Sequence, residues 1–276
     1  MPDFNTKKNV LITGASSGIG LELAKLFAQN GFRPILVARR RQKLTQLAQE
    51  IESNFHQQAV VLTRDLSRPK APREIFEALQ MQNLPVDILV NNAGFGALGQ
   101  FVSADTDKIE RMIQVNVTAL TILTRLFLPG MLKRGYGKIL NVASTAAFQP
   151  GPEMAVYYAT KAFVLNFSEA ISYELKNTPV TVTALCPGPT RSEFQSVADM
   201  GEALVGRIGL MSAEKVARIG YRALFRGKHV VIPGLLNRSG AWLSRHAPRR
   251  WVMVFIQRLQ ENRNPNDSDP PTLQVE

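Results

Sequence analysis

The feature that most constrains the fold of this chain is a glycine-rich turn between an apolar segment and an amphipathic one. Residues Lys8 to Thr13 are typical of a short buried strand, and residues Gly18 to Gln29 carry apolar side chains at helical spacing. Between them lies the run Thr13 to Gly20, TGASSGIG. Glycines in such a turn let the backbone approach a pyrophosphate, and the start of the helix offers unpaired N–H donors. This arrangement predicts a dinucleotide site, with a purely structural glycine-rich loop as the alternative.

The alternation of strand and helix continues after this turn. Further strands are predicted at Pro34–Ala38, Ala59–Thr63, Ile88–Asn91, Lys138–Val142, Val180–Leu185 and Val230–Ile232. Helices are predicted near Gln42–Ser53, Pro72–Gln80, Thr106–Arg134, Ala155–Lys176 and Ala213–Phe225. Strands that alternate with helices run parallel and are joined by right-handed crossovers. The chain is therefore predicted to be an α/β protein with a doubly wound, Rossmann-type sheet of seven parallel strands flanked by helices.

Length and composition fit one domain followed by an extension. At 276 residues, with 45% hydrophobic and 20% charged residues, the chain has the composition of a globular protein with a substantial core. We predict a Rossmann-fold domain at residues 1–233, which includes a substrate loop at 190–211. A basic amphipathic helical extension is predicted at 234–263, where Pro248 divides it into two helices. The polar, proline-rich residues 264–276 are predicted to be disordered.

Cysteine content and apolar runs bear on the compartment. The single cysteine, Cys186, excludes a disulfide within the chain, and the first residues lack the apolar run of a secretory signal. No stretch approaches the roughly 20 uninterrupted apolar residues of a spanning helix. We therefore expect a cytoplasmic protein that does not cross a membrane.

The end of the second predicted strand indicates which dinucleotide is bound. A fold that selects NAD places an acidic residue there, about 20 residues beyond the turn, to bind the ribose hydroxyls. In this chain Ala38 is followed by Arg39, Arg40 and Arg41, with no acid. Because Arg39 or Arg40 can form charge-assisted bonds to a 2′-phosphate, NADP(H) is the predicted cofactor. A solvated helix start is the alternative explanation for these arginines.

A tyrosine and a lysine four residues apart carry the predicted chemistry. Tyr157 and Lys161 lie on one face of the predicted helix Ala155–Lys176. An adjacent ammonium stabilises a phenolate, so we expect Lys161 to lower the pKa of Tyr157 and make it a general acid. Tyr158 is disfavoured because it is three residues from Lys161. Ser144 follows a predicted strand, at the edge where open α/β sheets bind ligands, and is predicted to hold a substrate oxygen; a helix cap is the alternative.

Taken together, these motifs resemble those of the short-chain dehydrogenase/reductase family, in its NADP-preferring form, from about Lys8 to Ile232. The matching features occur in the family's order and approximate spacing: Thr13–Gly20, Asn91-Asn92-Ala93-Gly94, Asn116, Ser144, Tyr157, Lys161 and Pro187-Gly188. The resemblance implies hydride transfer between NADP(H) and a carbonyl or alcohol. It makes Tyr157 the general acid or base, Ser144 the group that positions the oxygen, and Lys161 with Asn116 a proton relay through a water.

The resemblance also implies a set of cofactor contacts. Asp65 is expected to contact the adenine, Asn91 to Gly94 to steady the central strand beside the cofactor, and Lys161 to bind the nicotinamide ribose. The cofactor residues implied or inferred are Gly14, Ser16, Ser17, Gly18, Ile19, Gly20, Arg39, Arg40, Asp65, Leu66, Asn92, Ala93, Gly94, Tyr157, Lys161, Pro187, Gly188 and Thr190. No metal site is predicted.

The substrate is predicted to be an apolar small molecule with a carbonyl or alcohol group. The apolar residues around the motifs and in the loop are Phe95, Phe148, Met154, Phe194, Val197, Met200 and Leu204. Core packing explains these residues equally well. Acyl thioesters, keto lipids, steroid-like ketones and smaller hydroxy-acid or sugar carbonyls are the candidate substrates.

Positive charge is concentrated in the C-terminal extension. The chain carries a net charge of +11, and the segment from Arg226 to Arg263 holds eight Arg or Lys against one acid, Glu261. Because this excess lies outside the residues that carry the chemistry, nucleic acid is not a predicted partner. A basic amphipathic segment with Trp242 and Trp251 is typical of contact with an anionic membrane surface; docking on the parent domain or on a neighbouring subunit is the alternative. The family resemblance implies a homodimer or homotetramer.

Overall fold

A parallel sheet of seven strands forms the centre of the fold in the computed structural model, which describes residues 8–191, 193 and 210–261. The strands in chain order are β1 (Asn9–Thr13), β2 (Arg33–Ala38), β3 (Val60–Thr63), β4 (Ile88–Asn91), β5 (Gly137–Val142), β6 (Val180–Leu185), β7 (Thr190–Arg191), β8 (Met211–Ser212) and β9 (Val230–Val231). The sheet order is β3-β2-β1-β4-β5-β6-β9, and β7 pairs with β8 apart from it. The predicted doubly wound parallel sheet is confirmed.

Helices cover both faces of this sheet. They are α1 (Gly18–Gln29), α2 (Arg41–Phe55), α3 (Ala71–Met81), α4 (Thr106–Ile113), α5 (Leu120–Lys133), α6 (Ala155–Glu174), α7 (Ala213–Phe225), α8 (Leu235–His246) and α9 (Arg249–Glu261). One apolar cluster packs α1, α2 and α7 on one face, around Phe27, Leu44 and Val216. A second packs α3 and α5 on the other face, around Ile75 and Leu123. Because both faces are covered, β1 and β4 are buried along their whole length.

The strand order places a crevice beside β1. This strand pairs with β2 on one side and with β4 on the other, so the direction of the connections reverses there. Open α/β sheets bind ligands outside the carboxyl ends of the strands at such a point. The glycine-rich turn that begins at Thr13 and the motif that begins at Asn91 both emerge at this edge.

The long helix predicted over Thr106–Arg134 is divided into three parts. A π-helix, Gln114–Ala119, separates α4 from α5, and Pro129 lies inside α5. The combined run Thr106–Lys133 is long and apolar enough to span a membrane, yet 44% of its most apolar window is buried in the protein. Because this run is the crossover between β4 and β5, we interpret it as a core helix of the fold.

The C-terminal extension consists of two helices in the described residues. Pro248 lies between α8 and α9, as the sequence predicts. Of the predicted substrate loop, residues 192 and 194–209 lie outside the described residues, and with them the four apolar loop positions. Residues 262–276, which contain the whole predicted tail, lie outside them as well. The predicted division at residues 233 and 234 stays a prediction.

Candidate active site

A cavity of about 590 Å³ opens at the carboxyl edge of the sheet and collects most of the predicted site residues. Those that line it are Gly14, Ser16, Ser17, Ile19, Arg39, Arg40, Asp65, Leu66, Asn92, Ala93, Gly94, Ser144, Tyr157, Lys161, Pro187, Gly188 and Thr190. Three predicted residues, Gly18, Gly20 and Asn116, are not in its wall. Gly20 and Asn116 are buried behind it and contact residues that line it: Gly20 lies against Gly14 and Asn92, and Asn116 hydrogen-bonds to Phe95.

The glycine-rich turn is held in place by the motif after β4. The amide of Asn92 donates to the carbonyl of Thr13 at 2.9 Å, and the Thr13 hydroxyl accepts from the backbone N–H groups of Asn92 and Ala93, both at 3.0 Å. Gly14 has a φ of +67°, which favours glycine, and a side chain at Gly20 would collide with the Gly14 carbonyl. The turn therefore has the close backbone approach that a pyrophosphate needs.

An arginine and a lysine at the start of α2 hold a carboxylate at one end of the cavity. Arg40 donates to the hydroxyls of Ser16 and Ser17, at 2.9 Å and 3.0 Å. The carboxylate of Glu193 lies 2.7 Å from Arg40 Nη1 and 2.6 Å from Lys43 Nζ. The hydrogen bond from Lys43 and that from Arg40 lower the pKa of Glu193 to about 2, against a smaller effect of burial. Arg40 and Glu193 line the cavity, so with Lys43 behind them they mark a place for an anion at the end where a 2′-phosphate was predicted.

Sequence reasoning missed both Lys43 and Glu193. Lys43 lies three residues after Arg40 on the same face of α2, and this spacing was an available signal. Glu193 is 150 residues from Lys43 in the chain, so no local pattern relates the two. Arg39 is exposed and lines the cavity.

The predicted catalytic side chains meet at the other end of the cavity. Tyr157 and Lys161 project from the first turns of α6 and are buried, with 9% and 5% of their surface exposed. Lys161 Nζ donates to the carbonyl of Val142 at 2.8 Å and lies 5.8 Å from the ring centre of Tyr157. Ser144 hydrogen-bonds with Tyr157, and its hydroxyl also accepts from the N–H of Ala146 at 3.1 Å. The serine is therefore both a cap of a short 3₁₀-helix and a neighbour of the tyrosine.

Burial sets the pKa values of this pair in a way the spacing did not predict. Loss of solvent around the phenolate raises the pKa of Tyr157 to about 12, and the hydrogen bond with Ser144 only partly opposes this. Burial also lowers the pKa of Lys161 to about 8. This shift is opposite in direction to the one that the spacing predicted, because burial is its largest cause and disfavours the charged phenolate. The role of Tyr157 as general acid stays a prediction.

Asn116 supports the site from the π-helix. Its Nδ2 donates to the carbonyl of Phe95 at 2.9 Å and to Thr160 Oγ1 at 3.1 Å, and its Oδ1 accepts from the Phe95 N–H at 3.1 Å. A Cβ at Gly94 would lie 3.1 Å from Asn116 Oδ1 and 3.2 Å from Lys161 Nζ. The asparagine thus ties the end of the β4 motif to α6 beside the lysine. Its role in a water relay stays a prediction.

The remaining cofactor candidates lie on loops around the cavity. Asp65 accepts from the N–H and the hydroxyl of Ser67, at 3.0 Å and 2.8 Å, which fixes the turn after β3. Thr190 Oγ1 donates to the carbonyl of Gly188 at 2.9 Å. The side chain of Asn237, from α8, fills the space that a Cβ at Gly188 would need. Asn237 is a site neighbour that the sequence did not indicate, because its contact depends on how α8 docks.

The comparison with protein families decides the assignment that this geometry suggests. A family model described as short chain dehydrogenase matches residues 8–202, which include the turn, the β4 motif, Ser144, Tyr157 and Lys161. The chain belongs to the short-chain dehydrogenase family. It is therefore a member of an oxidoreductase family, and the resemblance inferred from the motifs is confirmed.

Individual short-chain dehydrogenases are similar to the chain in sequence and in structure. The NADP-dependent 3-hydroxy acid dehydrogenase YdfG of Escherichia coli is 37% identical over 196 residues, which cover 70% of this chain and 77% of that protein. A short-chain dehydrogenase from Sphingobium yanoikuyae, solved in complex with NADPH, is 32% identical with a TM-score of 0.77, over 96% of this chain and 99% of that one. A bulky-bulky ketone specific alcohol dehydrogenase from Comamonas testosteroni is 28% identical with a TM-score of 0.73, over 98% and 99%. The chain spans 62% of the length of a short chain dehydrogenase from Pseudocercospora fijiensis, to which it is 37% identical over 194 residues.

Proposed function

We propose that this short-chain dehydrogenase is a carbonyl reductase and alcohol dehydrogenase that acts on a bulky, apolar ketone or alcohol. The cofactor is NADP(H), as in the similar structure that contains NADPH and in the NADP-dependent relative. The observation that carries the proposal is one cavity with an anion site and a glycine-rich turn at one end and Ser144, Tyr157 and Lys161 at the other. This arrangement suits a dinucleotide that reaches from a phosphate site to a proton donor.

The residues at the phosphate end fit NADP(H). The turn has the backbone conformation and the close approach at Gly14 that a pyrophosphate requires. A carboxylate already occupies the site between Arg40 and Lys43, so an anion is favourable there. Arg40 and Lys43, with Arg39 beside them, would hold the 2′-phosphate, and Gly94 and Lys161 would lie beside the nicotinamide ribose.

The mechanism follows from the protonation states and positions of the chain's own residues. When bound, NADPH supplies the hydride for the carbonyl carbon. Tyr157, whose pKa is about 12, keeps its proton at neutral pH and donates it to the substrate oxygen. Ser144 donates a hydrogen bond that holds this oxygen beside the tyrosine. Lys161, whose pKa is about 8, exchanges a proton near neutral pH and resupplies the tyrosine, while Asn116 keeps this part of α6 in place.

The wall of the cavity favours an apolar substrate. Phe95, Met154 and Tyr158 line it near Tyr157, and their side chains belong to one apolar cluster. Phe148 is not in the wall; it packs in a separate cluster and lies under the guanidinium of Arg245. The similarity to an enzyme for bulky ketones extends over nearly the whole chain, which supports a large substrate over a small hydroxy acid.

A tyrosine substitution with a neighbouring control tests the reaction. Tyr157→Phe removes the proton donor but not the ring, so we expect turnover of a panel of aryl and alkyl ketones with NADPH to fall by at least about 100-fold. NADPH affinity, measured by fluorescence titration, should change little. Tyr158→Phe is the matched control, because Tyr158 lies in the same cavity, and it should keep most of the activity. Full turnover by the Tyr157→Phe protein would contradict the proposal.

The assembly and compartment of the enzyme belong to the same proposal. We expect a homo-oligomer in the cytoplasm that requires no nucleic acid. The observation that supports assembly is the set of apolar side chains on α6 that the chain itself leaves partly exposed, notably Phe163 and Tyr173.

A further inference from the structure

The two helices of the C-terminal extension each bury one face on the protein. In α8 the less exposed residues are Asn237, Ala241 and Ser244, which recur at spacings of four and three residues. Asn237 packs against Gly188, and Arg245 lies 5.1 Å from the ring centre of Phe148. In α9 the buried residues are Val252 and Ile256, four apart. Both helices are therefore already docked by one side.

The opposite side of α8 is apolar and exposed. Leu235, Leu236, Trp242 and Leu243 have between 59% and 86% of their surface exposed. At about 100° per residue, Leu235, Trp242 and Leu243 lie on the side of the helix away from Asn237 and Ala241. Because these side chains face away from their own domain, its interior does not bury them.

The same pattern recurs in α9. Trp251 and Phe255, four residues apart, are 77% and 63% exposed, and Val254 between them is 49% exposed. We call these exposed apolar residues of both helices the outer face of the extension: Leu235, Leu236, Trp242, Leu243, Trp251, Val254 and Phe255. Exposed apolar surface of this extent, with a tryptophan on each helix, marks a site of interaction.

Charge decides between the partners that an apolar face can take. The extension, residues 234–263, has a net charge of +5, from six Arg and one Glu. Pairing of this face with a second copy of itself would bring like charges together. An anionic lipid surface instead offers negative headgroups for the arginines and an apolar boundary layer for tryptophan and leucine.

We propose that the outer face of the extension binds the surface of an anionic lipid bilayer. The helices lie in the plane of the interface, with Trp242, Trp251 and Phe255 inserted among the acyl chains near the headgroups. Arg249 and Arg250, at the start of α9, contact the phosphate groups. The buried faces keep their contacts with the protein, so binding needs no unfolding of the extension.

The two tryptophans make a direct test possible. The chain contains two tryptophans, Trp242 and Trp251, and both lie on the outer face, so tryptophan emission, excited selectively over that of tyrosine, reports on this surface alone. The full chain with NADPH present would be mixed with vesicles of equal parts phosphatidylcholine and phosphatidylglycerol, and with vesicles of phosphatidylcholine alone. We expect a blue shift of tryptophan emission and co-sedimentation with the anionic vesicles, both reversed by salt.

Two variants separate charge from apolar insertion. Arg249→Gln/Arg250→Gln should weaken binding to anionic vesicles by roughly 30-fold, because each basic residue near the surface contributes about a factor of five. Leu243→Ser/Phe255→Ser should keep the salt dependence but lose most of the blue shift. Arg73→Gln and Met81→Ser, which change exposed residues of α3, are the matched controls and should bind as the wild type does. Each variant should keep its NADPH affinity, which verifies the fold.

Three results would overturn the proposal. The first is an emission spectrum of folded wild-type protein that anionic vesicles do not change. The second is a blue shift that depends on protein concentration without lipid, since this would mean that a second copy covers the face. The third is equal binding by the double arginine variant.

Discussion

Burial of Lys161 makes the stability of this protein depend on pH. Its pKa falls to about 8 from an ordinary value of 10.5, and the carbonyl of Val142 accepts a hydrogen bond from it at 2.8 Å. Because the folded state binds this proton less tightly than the unfolded chain, the charged side chain costs stability below pH 8. The cost disappears as the pH rises through 10.5, so Lys161 makes stability rise with pH across this window.

Replacement of this lysine isolates the effect. We compare the free energy of unfolding of Lys161→Met with that of the wild type at pH 7 and at pH 10. We expect the variant to gain more relative to the wild type at pH 7, and the two gains to differ by roughly 2 to 3 kcal/mol. Urea denaturation at both pH values measures the difference. Lys70→Met, at an exposed position, is the control and should show no such dependence on pH. If Lys161→Met changed the free energy of unfolding by the same amount at both pH values, the ammonium would not be desolvated.

At the scale of elements, Glu193 links the start of the predicted substrate loop to α2. Its carboxylate bridges Arg40 and Lys43, and with a pKa of about 2 it is charged at every working pH. In the proposed function, a 2′-phosphate binds the same two cations. On that proposal the carboxylate and the phosphate compete, and the cofactor displaces Glu193 from this site or shares the site with it.

A neutral side chain at this position should favour NADPH. We expect Glu193→Gln to raise the affinity for NADPH by up to about fivefold, the range of an exposed ion pair, with little effect on NADH. Fluorescence titration of both nucleotides gives the ratio of the two affinities. Glu214→Gln is a suitable control, because Glu214 forms a similar exposed pair with Arg218 away from the cavity. A loss of NADPH affinity in Glu193→Gln would show that the carboxylate supports the phosphate site instead.

Local sequence patterns predicted most elements of the fold because apolar periodicity specifies them. The helix Gly18–Gln29 and the strands Ile88–Asn91 and Val180–Leu185 have the predicted bounds. The π-helix at Gln114–Ala119 was missed, because apolar residues are so frequent in this run that the change of helix face caused by one extra residue leaves no break in the pattern. The pair β7 and β8 was missed because a strand of two residues is too short to show an alternation of apolar and polar side chains.

The parts of the site that sequence did not predict depend on tertiary contacts. The spacing of Tyr157 and Lys161 indicated a shared helix face, but their pKa values follow from burial beneath the loops of other strands. The contacts of Glu193 with Lys43 and of Asn237 with Gly188 join elements that are far apart in the chain. Such pairings become visible only when the fold brings the elements together.

At the scale of the whole molecule, α6 presents two different faces. Val164 and Leu165 are buried on the protein, whereas Phe163 and Tyr173 are 40% and 69% exposed. The ring of Phe163 stacks on Phe167 with centres 5.7 Å apart, which forms a flat apolar surface. This surface lies on a different element from the outer face of the extension, so assembly and lipid contact can be tested separately.

A charged residue on this surface should reduce the size of the assembly. We expect the wild type to sediment as a dimer or tetramer in analytical ultracentrifugation, and Phe163→Glu to shift it towards the monomer, because a carboxylate buried in an interface without a partner is costly. Trp242→Ser, on α8, is the control and should leave the assembly unchanged. NADPH binding by the Phe163→Glu protein would verify its fold. If the wild type were a monomer at all concentrations, or if the Phe163→Glu protein kept the size of the wild type, α6 would not be the interface. If the Trp242→Ser protein dissociated instead, the interface would belong to the extension.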